Sequence, residues 1–174
     1  MLFKNQLAPE FVANSINDEL IDLYGFRGKK VLIKFHRFSG CPVARSQINN
    51  FLKRQKELSA AGVETIVFLH NSIDKVRSII HEVPGLHIIP DKQKKIYKLF
   101  QSEFSVGKLF SLSSWVATFS AFFHGYFPLF SKFQGGIIGV PSDFLLDEKS
   151  IIRDLHYGRH FGDSWMVPDV LKKL

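Results

Sequence analysis

Apolar and polar positions change their period several times along this 174-residue chain. Val31-Leu-Ile-Lys-Phe-His36 and Val63-Glu-Thr-Ile-Val-Phe-Leu69 are short, nearly continuous apolar runs. That pattern predicts strands buried on both faces. From Pro42, apolar residues fall at Val43, Ala44, Ile48, Phe51, Leu52 and Leu58, with Arg45, Lys53, Arg54, Lys56 and Glu57 between them. This predicts one amphipathic helix, ended by Gly62, which tolerates the left-handed cap. Asn71 and Ser72 are N-caps for a second helix bearing Val76, Ile79, Ile80 and Val83. His87-Ile-Ile89 predicts a third strand, and Asp91 caps a helix with Ile96, Leu99, Phe100 and Phe104 on one face. Such alternation implies right-handed crossovers and a mainly parallel sheet. Further on, Ser142 to Asp147 and Ile151 to Tyr157 flank a Glu148-Lys149 turn and predict an antiparallel hairpin, followed by a helix from Pro168 to Leu174. The segment after Pro9 predicts a strand or short helix leading to a polar turn at Phe26 to Lys30.

One stretch breaks the pattern. Leu109 to Ser131 contains no Asp, Glu, Lys or Arg, and Trp115, Phe119, Phe122, Phe123 and Tyr126 recur at helical spacing. Five serines, His124, Gly125 and Pro128 interrupt it, which argues against a membrane span. An inserted helical hairpin that covers a site edge or a second subunit fits best, ahead of a membrane-surface segment framed by Lys108 and Lys132.

With 45% apolar residues, no linker and no repeat, the chain reads as a single domain, 1–174, with an aromatic-rich insertion at 105–134. The first thirty residues mix Lys4, Glu10, Asp18, Glu19 and Asp22 with apolar positions, so no secretory signal is expected there. The single cysteine excludes an internal disulfide and suits a reducing compartment, hence a cytoplasmic expectation. The net charge of +7 is spread rather than gathered into a basic stripe with stacking aromatics, so nucleic acid is not the expected partner. His36, His70, His81, His87, His124 and His156 are scattered with no i, i+4 pair among them, and Gly135-Gly136 precedes a strand, so neither a metal site nor a phosphate loop nor any cofactor is expected.

The chemistry concentrates at Cys41, in Phe38-Ser-Gly-Cys41-Pro42 between a predicted strand and a predicted helix. A thiol there faces the N–H groups of a helix start and the cations Arg37 and Arg45. Both favour thiolate, the nucleophilic form. Ala44 stands three residues on, so no Cys-x-x-Cys disulfide can close. The bland alternative is a buried, inert cysteine.

Three segments together carry a family resemblance: Val31 to Pro42, Gly139-Val-Pro141-Ser-Asp-Phe-Leu-Leu-Asp147, and Tyr157-Gly-Arg159-His160. With the element order they resemble the alkyl-hydroperoxide-reductase/thiol-specific-antioxidant (peroxiredoxin-like, redoxin) proteins over roughly 9–104 and 135–174. The resemblance implies an α/β, thioredoxin-like fold, a central mixed sheet flanked by helices, with the aromatic-rich insertion before the C-terminal hairpin. It implies a cis Pro141 that presents Val140 to an extended thiol substrate, and an Arg159 loop on the same sheet edge as Cys41. Arg159 or Arg45 would hold the thiolate, Ser39 and Val140-Pro141 would line the substrate site, and His160 would shuttle protons or merely pack. Two departures stand out. Phe38 occupies the place where these enzymes carry a Thr or Ser, and Pro141 stands where they place an arginine.

The expected activity is a one-cysteine thiol-dependent peroxidase or oxidoreductase, acting on a peroxide and restored by an external thiol such as glutathione or a thioredoxin-like protein. The alternative is a redox-inactive thioredoxin-fold binding protein that uses the aromatic insertion as an interface. A homodimer or membrane-surface contact through 109–131 belongs to the same set of expectations.

Overall fold

A computed structural model describes residues 1–36, 42–78, 80, 85–102, 140–160 and 162–174, with 42–45 described by backbone alone. Strands β1 (Val12–Asn14) and β2 (Leu20–Asp22) form a small antiparallel ribbon, followed by a 3-10 turn at Leu23–Phe26. Then come β3 (Lys30–His36), α1 (Pro42–Ala60), β4 (Val63–Leu69), α2 (Ile73–Arg77), β5 (Leu86–Pro90) and α3 (Lys95–Leu99). The chain closes with β6 (Ser142–Leu146), β7 (Ile152–Tyr157) and α4 (Val167–Leu171).

The larger sheet runs β5-β4-β3-β6-β7. The β5-β4-β3 half is parallel, and β6 and β7 join antiparallel. Both apolar runs recognised in the sequence occupy central positions, since β3 is paired on one edge by β4 and on the other by β6. Burial on both faces explains why these strands do not alternate apolar with polar. One face carries Ile33, Phe35, Phe68, Phe100 and Phe144 in a single cluster, with Phe35 stacked on Phe68 at 4.8 Å between ring centroids. The opposite face packs under α1 and α4, where Leu32, Phe51, Leu58, Leu145, Val167 and Val170 meet.

Helix α1 ends where Gly62 takes φ +73, the left-handed conformation that glycine adopts without cost. Asp91 caps as expected: its carboxylate accepts the backbone N–H groups of Lys95, Ile96 and Tyr97 at 2.8–3.2 Å. Two local expectations are corrected. Ser72 stands at the N-cap of α2 but makes no side-chain capping bond. Leu99, assigned to the apolar face of α3, is exposed, and Tyr97 turns inward in its place. The reason is polar: the Tyr97 hydroxyl finds the carbonyls of His36 and of Phe68, at 3.0 Å for the latter, at the ends of β3 and β4. Ile79, Val83, Phe104 and the 105–134 insertion lie outside the described residues. Among the described residues no helix is long and apolar enough to cross a membrane.

Candidate functional site

The pairing register decides what meets at one end of the sheet. His36, the last residue of β3, is level with Leu69 at the end of β4, and Phe35 faces Ser142 at the start of β6. Ser142 also faces Tyr157 at the end of β7. Residues 140–141, 158–160 and 162–163 therefore share the sheet edge at which β3 ends and after which the sequence runs through 37–41 to α1. Cys41 and Ser39 lie outside the described residues, and Arg45 is described only as part of the α1 backbone.

Pro141 is buried and Val140 half-buried. The Pro141 carbonyl accepts the Gly158 N–H at 2.9 Å, which joins the start of β6 to the loop after β7. The cis Pro141 implied by the family resemblance is not found, because no cis peptide bond occurs among the described residues. With β6 beginning at Ser142, the trans proline stands just outside the ladder, where its lack of an N–H is harmless.

Asp163 organises the loop. One carboxylate oxygen meets His156 Nε2 at 2.9 Å. The other accepts the Arg159 backbone N–H at 2.8 Å and Arg159 Nε at 3.2 Å. Burial would raise the Asp163 pKa, but the Arg159 N–H, the attraction of His156 and their side-chain bonds outweigh it, and the group sits below the ordinary carboxylate range. The Arg159 side chain is 83% exposed and paired with Asp163. The structure thus brings Arg159 to the expected edge but gives its guanidinium a carboxylate partner. His160 Nδ1 accepts the Gly162 N–H at 3.3 Å, a contact within its own loop.

Deeper at this end lies a pair that the sequence reading passed over. Lys34 on β3 and Asp143 on β6 are register partners, fully buried, with Nζ and Oδ1 2.5 Å apart. Ser164 Oγ lies 2.9 Å from both partners, the Trp165 carbonyl accepts from Lys34 at 2.8 Å, and the Trp165 N–H donates to Asp143 Oδ2 at 2.8 Å. Burial lowers the Lys34 pKa, opposed by Asp143. One strand step on, His36 is buried and held well below its ordinary pKa, first by desolvation and then by the Lys34 charge. The sequence holds only a partial signal: Lys34 interrupts the apolar run Val31 to Phe35 and Asp143 precedes the apolar Phe144-Leu-Leu146, with opposite charges. Among the described residues no cluster of His, Cys, Asp or Glu could hold a metal ion.

A parallel three-strand half closed by an antiparallel hairpin, with α1 leading away from the central strand, is a thioredoxin-like fold, the scaffold of thiol redox proteins. The AhpC/TSA family model matches residues 5–155, and the chain belongs to that family. Its chemistry is accordingly of the thiol-based redox class. Among solved structures it is similar to the reduced 2-Cys peroxiredoxin of Plasmodium vivax, at 16% identity and TM-score 0.69, covering 98% of this chain and 93% of that one. It is also similar to the yeast mitochondrial 1-Cys peroxiredoxin, at 19% identity and TM-score 0.64 over 90% and 68% of the two chains. A third similar structure is a putative thiol:disulfide interchange protein DsbE of Chlorobium tepidum, at 15% identity and TM-score 0.58 over 90% and 86%. A comparison with curated proteins returns no match.

Proposed function

We propose that this protein is a one-cysteine thiol-dependent peroxidase or oxidoreductase with Cys41 as its nucleophile. The observation that carries the reading is that Cys41 is the sole cysteine of a thiol-redox family member and immediately precedes the helix that follows the central strand. The Cys41 thiolate attacks one peroxide oxygen, the O–O bond breaks, and the alcohol or water leaves with a proton. The resulting sulfenic acid condenses with an external thiol and releases water. A second external thiol then attacks the mixed disulfide, freeing Cys41 and carrying away the oxidised reductant as a disulfide. Glutathione or a thioredoxin-like protein supplies those electrons, because the chain has no second thiol to do so. Arg45, on the first turn of α1, and Arg159, whose guanidinium is paired with Asp163, are the candidate thiolate partners.

Whole-protein mass spectrometry after one equivalent of peroxide tests this. The expected result is gain of one oxygen at Cys41, absent in Cys41→Ser and reversed by glutathione. A wild-type protein that stays unmodified while peroxide persists would overturn the reading in favour of a redox-inactive binding protein on the same fold.

A further inference from the structure

β7 is the last strand of the larger sheet, so one of its sides faces no strand of that sheet. The pairing shows which groups point that way. Ser142 pairs with Tyr157, and one residue further the Gly158 N–H bonds the Pro141 carbonyl. Inward and outward residues alternate along an antiparallel ladder. Asp154 and His156 therefore turn their backbone groups to β6, whereas Leu155 and Tyr157 turn theirs outward. An outward row of N–H and C=O groups is a template for any extended chain.

Two devices cover this side. The N-terminal segment takes the first part: the Ala8 N–H donates to the Ser150 carbonyl at 2.9 Å, the Asn5 N–H to the Ile152 carbonyl at 2.8 Å, and the Ile152 N–H to the Gln6 carbonyl at 2.9 Å. There the added chain leaves the ladder, because Asn5 sits at φ +68, outside the extended region. Among the described residues no backbone group of residues 1–4 bonds β7. Asp154 holds the next part instead. Its Oδ1 accepts the outward Leu155 N–H at 2.9 Å and meets Lys4 Nζ, from the N-terminal segment, at 2.6 Å. Lys173, beyond α4, reaches Oδ2 at 2.7 Å. Lys173 is steadied in turn over the Trp165 ring, 4.6 Å from its centroid, and Trp165 stacks on His156 of β7.

The Asp154 side chain is only 16% exposed, although it stands on the outermost strand. Burial would raise its pKa, but the bonds from Lys173, Lys4 and the Leu155 N–H outweigh it and hold the group below the ordinary carboxylate range. An arriving strand would have to part this carboxylate from both lysines, or bury it unpaired, before reaching Leu155.

We propose that Asp154 is an edge lock: by capping the Leu155 N–H and drawing Lys4 and Lys173 onto itself, it closes the uncovered part of β7 to a second copy of this chain. A second copy is the occupant kept out because two β7 edges can pair antiparallel about a twofold axis, each meeting the outward groups of Leu155 and Tyr157 on the other. The lock ties both ends of the chain to one strand and involves no thiol chemistry.

Sedimentation velocity of the full-length protein from micromolar to submillimolar concentration, with amide hydrogen exchange of Leu155 and Tyr157 over the same range, tests this. In wild type, exchange at both amides is expected to be independent of concentration. In dilute Asp154→Ala the Leu155 amide exchanges on the order of tenfold faster than in dilute wild type. As concentration rises, Asp154→Ala self-associates on the order of tenfold more tightly than wild type, and both amides become protected. An Asp154→Ala protein that sediments as wild type throughout, or that associates while the two amides stay unprotected, would overturn the proposal. So would a wild type whose Leu155 and Tyr157 amides already gain protection with concentration. Should Asp154→Ala not fold, Lys4→Met/Lys173→Met decides it, since both changes lie on lysines at the surface. Faster Leu155 exchange with association through these amides sustains the lock, and wild-type behaviour in both readouts sinks it.

Discussion

Replacing Gly158 by alanine isolates the junction between Pro141 and the Asp163 loop. A Cβ built at Gly158 would stand 2.5 Å from the Asp163 carbonyl oxygen, 2.7 Å from the Pro141 carbonyl oxygen and 3.2 Å from Pro141 Cγ. Two of the three atoms are backbone, on opposite neighbours, so no side-chain rotation can make room. Gly158 is not among the residues with positive φ, so an alanine there meets no conformational penalty of its own. The whole effect is steric. Relief requires the two carbonyls to retreat by roughly 0.5 Å, which strains the Gly158–Pro141 hydrogen bond and the Asp163 contacts to His156 and Arg159. Overpacking of this kind costs about 1–3 kcal/mol. Urea denaturation at neutral pH should show that loss as a lower midpoint with an unchanged slope. A Gly158→Ala protein within about 0.5 kcal/mol of wild type would show that the loop accommodates a methyl group freely, and the reasoning about this junction would be wrong.

Two further outcomes follow from the buried polar groups at the same end. His36 is neutral when folded, its pKa well below the ordinary 6.5, whereas in the unfolded chain it protonates normally. Its contribution is intact above the unfolded value and is lost as pH falls from there toward the folded one, with a slope of up to about 1.4 kcal/mol per pH unit. His70 is displaced in the same direction, so the difference between wild type and His36→Leu, followed by denaturation from pH 7.5 to 5, isolates the His36 share; equal slopes in the two proteins would count against it. Tyr97→Phe removes the hydroxyl that serves the carbonyls of His36 and Phe68, and should lower stability by about 1–2 kcal/mol in the same assay, whereas an unchanged midpoint would mean those carbonyls are satisfied otherwise.

Much of this architecture was legible because its strongest signals are local. Continuous apolar runs marked β3 and β4, the interleaved charges after Pro42 marked α1, and Gly62 marked its end. What escaped depends on partners far away in the chain. Lys34 and Asp143 are 109 residues apart, and neither residue type suggests burial until the register sets them opposite each other. Tyr97 displaced Leu99 from the inner face because two carbonyls at strand ends offered its hydroxyl partners, which helical periodicity does not encode. Asp163 was overlooked for the same reason: its role comes from closing the loop after β7 onto His156 and Arg159. The family resemblance placed Pro141 and Arg159 at the correct edge, while the cis bond it implied is absent and the guanidinium is already paired.

The Lys34–Asp143 pair also bears on how the chain assembles. The unit β3-α1-β4 is contiguous in sequence and can form from short-range contacts, whereas β6 comes from beyond residue 140 and must dock afterwards on the remaining side of β3. Until it does, β3 is an edge strand, open to pairing with any other extended chain. A lysine in the middle of such an edge is a recognised deterrent to that association, because a foreign strand would have to bury its ammonium uncompensated. Only a strand that brings a carboxylate to the level of Lys34 removes the obstacle, and β6 does so with Asp143. The same ion pair that is charge-balanced in the finished molecule thus discriminates, during assembly, between β6 and a strand that brings no carboxylate to that level.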